Sequence, residues 1–449
     1  MESDRKSPRF IKLAMFLGLS HLAHIAIGVT DVAMAGWLGT DKLAAVALAA
    51  SVFYVIILSS IGFIAGLSPL LAKYEGAGET EKIISTLTIA AYIVLGITII
   101  GVTILFFGDD LLLILQQPED LIELTPPYFY FLIPSAIAVN IFCFLWVFAS
   151  IREQSQAIFW ISFLSIFVNS GCNYIFMFGV GNFDGLGIAG LGLSTFISIC
   201  LKAVTLYIWL KSRNVIGRLA FLNPFHVFTK NATMLVLSYA VPMAILEAST
   251  IAFFTVILFI IGLAGADYIA IHAITIQIAE IGIAFALGFS EAAAISIAYA
   301  VGEKQYDQIR KLIVKGLSFG AATMTGYAFI LMMFGDIFVP LFTDEELANT
   351  EFVMAQAKAV LILAALCLII DSGRITLIGV LRGLGDTEKP VYYSIFGLWG
   401  VAIPLSYLLS IQFNLYNSGI WLALMLGMGV VSFILFCRLF YIRKTSITI

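Results

Sequence analysis

Charge is what this sequence has least of. Asp, Glu, Lys and Arg make up only 12% of its 449 residues, against 61% hydrophobic residues. A water-soluble domain of that length needs far more charge to cover its surface. Cysteine is scarce too. Cys143, Cys172, Cys200, Cys367 and Cys437 all fall in apolar runs without CxxC spacing. That pattern argues for packing, with no disulfide and no metal cluster expected. There is no HExxH, no GxSxG and no paired His–Asp constellation on neighbouring helices, so nothing points to an enzyme. No basic surface interleaved with aromatics suggests nucleic acid. No polar or low-complexity stretch is long enough to form a soluble domain. The first apolar run is too long for a signal h-region and lacks a small-residue cleavage site, so it reads as a helix of the protein.

What is present is apolar length. Mean hydropathy is +1.04, and about 20 apolar residues suffice to cross a hydrocarbon core. Twelve runs meet that measure. They lie near 11–37, 43–71, 84–107, 125–148, 157–180, 187–211, 233–262, 268–300, 309–335, 352–382, 389–413 and 417–442. Twelve spans put both termini on one side. That side collects 20 of the 24 basic residues, among them Arg5, Lys6, Lys73, Arg152, Arg218, Lys304 and Arg310. The opposite loops carry Lys42 alone, and are acidic at Asp109, Asp110, Glu119 and Asp120 and at Asp344, Glu345 and Glu346. By the positive-inside rule both termini are cytoplasmic.

The chain also repeats itself. Gly39-Thr-Asp-Lys-Leu-Ala-Ala-Val-Ala47 is similar to Gly265-Ala-Asp-Tyr-Ile-Ala-Ile-His-Ala273, at an offset of 226 residues. Gly76 and Gly302, and Ile83 and Ile309, keep the same offset. Each half therefore has six helices and the same orientation. The expected fold is an all-α membrane protein: twelve transmembrane helices in two parallel-oriented six-helix bundles related by pseudo-two-fold symmetry. The lobes are placed at 1–215 and 216–449. Such bundles leave a cleft, and rocking them exposes it to either side of the membrane in turn.

A carboxylate inside a membrane helix is expensive, and is a functional hypothesis by default. Asp31 lies near the end of helix one, as an ion site or as a residue snorkelling to the interface. Glu247 is nearly central in helix seven, five residues after Pro242, and cannot snorkel. Asp371 is deep in helix ten, with Arg374 three residues on and on the same face, so an internal ion pair competes with an ion site. Glu280 and Glu291 in helix eight are eleven residues apart and return to nearly the same face. They are candidates to line a water-filled cleft, with a solvated structural role for Glu291 as the alternative. Asn169 and Asn173 stand one turn apart on helix five, with Thr195 on helix six. They either bond helices together or, with Asp31, form an oxygen-rich cage for a hard cation. His21 and His24 on helix one suit packing or proton transfer. Pro69, Pro134, Pro242 and Pro404 are candidate kinks.

Three segments carry a family resemblance. Asp31-Val-Ala-Met-Ala-Gly-Trp-Leu-Gly39 resembles the helix-one signature of multidrug and toxic compound extrusion (MATE) transporters. Val241-Pro-Met-Ala-Ile-Leu-Glu247 resembles their helix-seven motif. Asp371, followed by Leu381-Arg-Gly-Leu-Gly-Asp-Thr387, is similar to their helix-ten Asp and cytoplasmic turn. The joint presence of Asp31, Glu247 and Asp371 is similar to the NorM-like branch. The resemblance implies a secondary antiporter exporting amphipathic, often cationic, drugs in exchange for Na⁺ or H⁺. It further implies ion coupling at Asp31, Asn169, Asn173 and Thr195 and at Glu247 and Asp371. Na⁺ would sit at Glu247 and Asp371, or at Asp31 and Asn173. Glu280, Glu291 and His21 are the substrate-cleft candidates. Arg374, Glu280, Glu291 and Lys358 depart from the pattern. No cofactor is expected beyond the coupling ion, and the partners are the bilayer and the drug. A monomer in a bacterial inner membrane is the expected setting. The competing function is a flippase for a lipid-linked saccharide, which favours a cleft rich in Arg and Lys.

Overall fold

A computed structural model of the chain describes residues 7–215, 228–341 and 350–445. Arg5, Lys6, Arg218, Asp344, Glu345 and Glu346 lie outside the described residues. Among the described residues twelve helices are long and apolar enough to cross a membrane. They are α1 (Phe10–Gly36), α2 (Asp41–Gly76), α3 (Thr80–Phe106), α4 (Pro126–Ile151), α5 (Ser155–Phe178), α6 (Ile188–Ser212), α7 (Lys230–Gly262), α8 (Asp267–Gly302), α9 (Tyr306–Pro340), α10 (Glu351–Gly383), α11 (Glu388–Gln412) and α12 (Tyr416–Ile442). Each matches one apolar run of the sequence, so this is a multi-pass membrane protein. Its backbone polar groups are satisfied within helices, as hydrocarbon requires. Among the described residues none of the five cysteines forms a disulfide.

The repeat is visible in the backbone. Gly39 and Gly265 precede α2 and α8, with φ of 107° and 117°. A side chain rarely adopts that conformation, so both halves use glycine there. Gly78 and Lys304, again 226 residues apart, end α2 and α8 in the left-handed region, with φ of 72° and 59°.

The helices are not uniform rods. α2 breaks at Leu67 and restarts with Pro69 in its first turn. Pro134 and Pro242 sit inside α4 and α7, which continue through them. In α11, π-helical turns at Phe396–Ala402 and Leu408–Gln412 flank Pro404. A proline removes one backbone donor, and a wider turn is one way the ladder adjusts. α9 has a non-helical residue at Phe334, which no proline signal marked. Between α5 and α6 a small antiparallel pair, β1 (Gly179–Val180) and β2 (Phe183–Asp184), interrupts the otherwise helical chain.

The chain packs into two compact units. One comprises Leu22–Ala244, the other Met1–His21 with Ile245–Ile449. The units thus differ from the halves read in the sequence by one exchange. The first helix of each half changes unit partway along: α1 after His21, α7 after Ala244. In the first unit, Met34, Val46, Phe53, Phe129, Leu132 and Leu191 belong to one buried cluster. In the second, Phe253, Ile278, Leu331, Leu361 and Trp421 belong to another. Within that unit α8 packs chiefly on α10.

Candidate functional site

In the Leu22–Ala244 unit, two helices bring their polar residues to Asp31 on α1. Asn169 and Asn173 are one turn apart on α5 and therefore share a face. Both are completely buried. The Asn173 Nδ2 donates to Asp31 Oδ1 at 2.7 Å and to Asn169 Oδ1 at 3.3 Å. The Thr195 hydroxyl, from α6, donates to Asp31 Oδ2 at 3.3 Å. Each carboxylate oxygen thus accepts one bond and keeps lone pairs in reserve. Among the described residues two further buried polar atoms, Asn173 Oδ1 and Asn169 Nδ2, have no partner at hydrogen-bond distance. An orphaned acceptor beside an underused carboxylate is the donor set a hard cation or a proton would complete.

Lys202 also belongs to this neighbourhood. It is buried on α6, seven residues and so about two turns after Thr195. Its ammonium lies 4.7 Å from the centre of the Phe142 ring and within electrostatic range of Asp31. Tyr54 and Tyr128 are likewise near the Asp31 charge. The sequence reading missed all three as site residues. The seven-residue spacing from Thr195 to Lys202 was the available signal.

In the other unit the carboxylates are already matched by basic groups. Arg374 Nε donates to Asp371 Oδ1 at 2.5 Å, and both side chains are buried. The internal pair weighed from their three-residue spacing is therefore formed. Glu247, half-buried on α7, feels the charges of Arg382, His21 and Arg374. Arg382 is buried and lies in the field of Glu291 as well as Glu247. His21 Nε2 and Glu291 Oε2 are 3.2 Å apart. Their meeting has a backbone cause. A Cβ on Gly288 would fall 2.6 Å from the carbonyl oxygen of Ala14, and one on Gly18 would fall 3.1 Å from Phe285 Cα. Glycine at both positions lets α1 and α8 approach closely, and His21 and Glu291, each one turn from one of these glycines, meet across the contact.

Not every candidate converges. Glu280 shares the helix face of Glu291, but eleven residues place them about 16 Å apart along the axis. Glu291 is held by His21, while Glu280 stands half-buried and apart. Lys358 forms an ion pair with Asp336 at 2.7 Å. Among the described residues no group of three or more His, Cys, Asp or Glu could hold a metal ion.

Comparison with known proteins follows the same lines. The family model MatE matches residues 17–175 and 226–408. The chain is 28% identical over 439 residues to a probable multidrug resistance protein NorM of Mesorhizobium japonicum, covering 97% of this chain and 94% of the relative. It is 27% identical over 442 residues to the multidrug resistance protein NorM of Burkholderia vietnamiensis, with the same coverage. Its fold is similar to a crystal structure of MATE in complex with MaL6, at a TM-score of 0.86, 18% identity and 97% coverage of both chains. It is similar, too, to a multidrug resistance MATE family transporter of the MOP superfamily in an outward-facing conformation. There the TM-score is 0.85, the identity 19%, and coverage 97% of this chain and 96% of that one.

Proposed function

Because the chain belongs to the MatE family and is NorM-like, we propose that it is an efflux antiporter expelling amphipathic cationic compounds in exchange for H⁺ or Na⁺. Family membership makes it a membrane transporter and not an enzyme. The relatives named for multidrug resistance support efflux as the direction. The observation that carries the coupling role is the Asp31 cluster. A carboxylate with spare lone pairs, bonded by Asn173 and Thr195 inside a membrane-spanning unit, changes its interactions with every proton or cation it takes up.

Asp371 contributes differently. Arg374 supplies, from within the chain, the positive charge that an imported ion would bring to it. Coupling then falls chiefly on Asp31 and Glu247, with Asn169, Asn173 and Thr195 around the first. Glu280 offers negative charge to a cationic cargo. Ion entry and cargo binding oppose each other, and linkage makes that opposition reciprocal. The protein acts as a monomer in the bacterial inner membrane, with both termini in the cytoplasm.

A flippase for a lipid-linked saccharide needs basic charge for an anionic head group. Lys202, Arg374 and Arg382 are buried bases, but each has an acidic neighbour: Asp31, Asp371, and Glu247 with Glu291. That balance favours cationic cargo. The test is efflux of a fluorescent organic cation from proteoliposomes under separately imposed H⁺ and Na⁺ gradients. One gradient is expected to drive efflux, and Asp31→Asn to abolish the drive. Efflux that ignores both gradients would sink the antiport reading.

A further inference from the structure

A second buried polar group lies in the unit formed by Met1–His21 and Ile245–Ile449, apart from the charged cluster just described. It sits where α8 and α12 begin, the end of α8 away from Lys304. His272 is 4% exposed, Asn417 2% and Trp421 4%. Three of their polar atoms, His272 Nδ1, Asn417 Oδ1 and Trp421 Nε1, are buried with no hydrogen-bond partner among the described residues. The three residues are neighbours. The His272 and Trp421 rings are 6.3 Å apart. Asn417 is one turn before Trp421, and its Nδ2 donates at 3.0 Å to the carbonyl of Tyr268, one turn before His272. Buried polar atoms are rarely left unpaired, and three at one place call for a partner. The indole N–H offers a donor, the amide oxygen an acceptor, and the imidazole nitrogen either role. One water molecule, which typically makes two to four such bonds, satisfies all three.

The repeat shows that the polarity is particular to this unit. At the offset of 226 residues His272 corresponds to Val46, an apolar residue buried in the other unit's core. Core packing alone therefore does not require a histidine at this register. The site also has a cover. The Tyr268 and Tyr416 rings stack at 4.3 Å, and Phe352 of α10 meets Tyr268 edge-on at 6.1 Å. Tyr416 is held at φ 45°. A bulky residue in the left-handed region is strained, and such strain persists where the surroundings impose it, often at binding and switching sites.

We propose that His272, Asn417 and Trp421 enclose a water-binding site under a Tyr268–Tyr416 lid, through which His272 exchanges a proton with the aqueous phase. A hydronium entering past the lid gives its proton to Nδ1 and remains behind as the bridging water. Histidine is the side chain whose charge changes nearest neutral pH. Among the described residues the titratable groups at this end are Asp267 and Tyr268 on α8, Tyr416 on α12, Tyr407 on α11, Glu351 and Lys358 on α10, and Asp336, the partner of Lys358, on α9. Glu280 lies two turns further along α8. The site adds a proton port that neither the family match nor the carboxylate cluster implies.

Radiolytic hydroxyl labelling of the full-length protein in nanodiscs tests the water. Trp421 is expected to label at a rate comparable to exposed Trp37, although it is buried. Labelling at the rate of the dry core residue Phe253 overturns the site. His272→Val is expected to lower Trp421 labelling severalfold, and Tyr416→Ala to raise it. His272→Gln, which keeps a polar partner and guards against misfolding, is expected to retain the labelling. Both His272 variants are expected to flatten the acid side of the pH profile of efflux. A profile unchanged in both variants overturns the proton role. Loss of efflux in every condition would fault the antiport reading, whereas the labelling does not depend on transport.

Discussion

Asp371 and Arg374 make opposite demands on the fold. Alone, either charge is costly in a buried setting; together they satisfy each other. Arg374→Met is expected to strand the Asp371 carboxylate and to destabilise the protein by about 3–5 kcal/mol. Asp371→Leu with Arg374→Met removes both charges and is expected to restore most of that loss. Thermal unfolding in detergent reads both, and equal losses in the single and double variants would show that the pair is not the cause. Asp31 is a different case, because its hydrogen-bond partners are neutral. Asp31→Asn keeps the shape and is expected to leave the melting temperature nearly unchanged. It should cut ion-driven efflux by about tenfold or more. The candidate residues were legible individually, because a carboxylate or amide in an apolar run stands out. Partners were legible where they shared a helix, and the cage of Asn169, Asn173 and Thr195 with Asp31 was one of two readings. The three-residue spacing showed the Asp371–Arg374 pair, whereas Lys202, Tyr54 and Tyr128 meet Asp31 from three other helices.

The helices owe their close approaches to small residues. Membrane helices gain little from hydrophobicity against lipid and rely on packing. Gly18 and Gly288 show this for α1 on α8. Gly288→Ala would push a Cβ towards the Ala14 carbonyl and Gly18. It is expected to cost about 1–3 kcal/mol and to part His21 from Glu291. A lower melting temperature together with faster labelling of His21 by diethyl pyrocarbonate would report both effects; an unshifted melt would mean the crossing is looser than described. α11 illustrates the limit of sequence patterns at this scale. Pro404 marked a kink, but the two π-helical turns around it left no mark on the periodicity.

Across the whole molecule, two features of the chain work together. The distribution of Lys and Arg orients the spans, and the 226-residue repeat gives both halves the same course. Reporter fusions at the C-terminus check the orientation. A fluorescent protein that matures in the cytoplasm is expected to glow there, and alkaline phosphatase, active only outside, to stay silent. The opposite result would invert the topology. The repeat also explains why the exchange of α1 and α7 is symmetrical: equivalent helices change unit at nearly equivalent positions, after His21 and after Ala244.

The sequence by itself determined the number of spans, their helical type and the duplication. These follow from apolar length and from a register that survives along the chain. It also marked which polar residues are too costly to be incidental. Tertiary structure decided who meets whom. Hydrogen bonds and ion pairs depend on distances of a few ångströms between segments far apart in sequence, and no local pattern encodes them. So only the folded chain chose Asp31 for Asn173 and Thr195, matched His21 to Glu291, and left three polar atoms around His272 with no partner among the described residues.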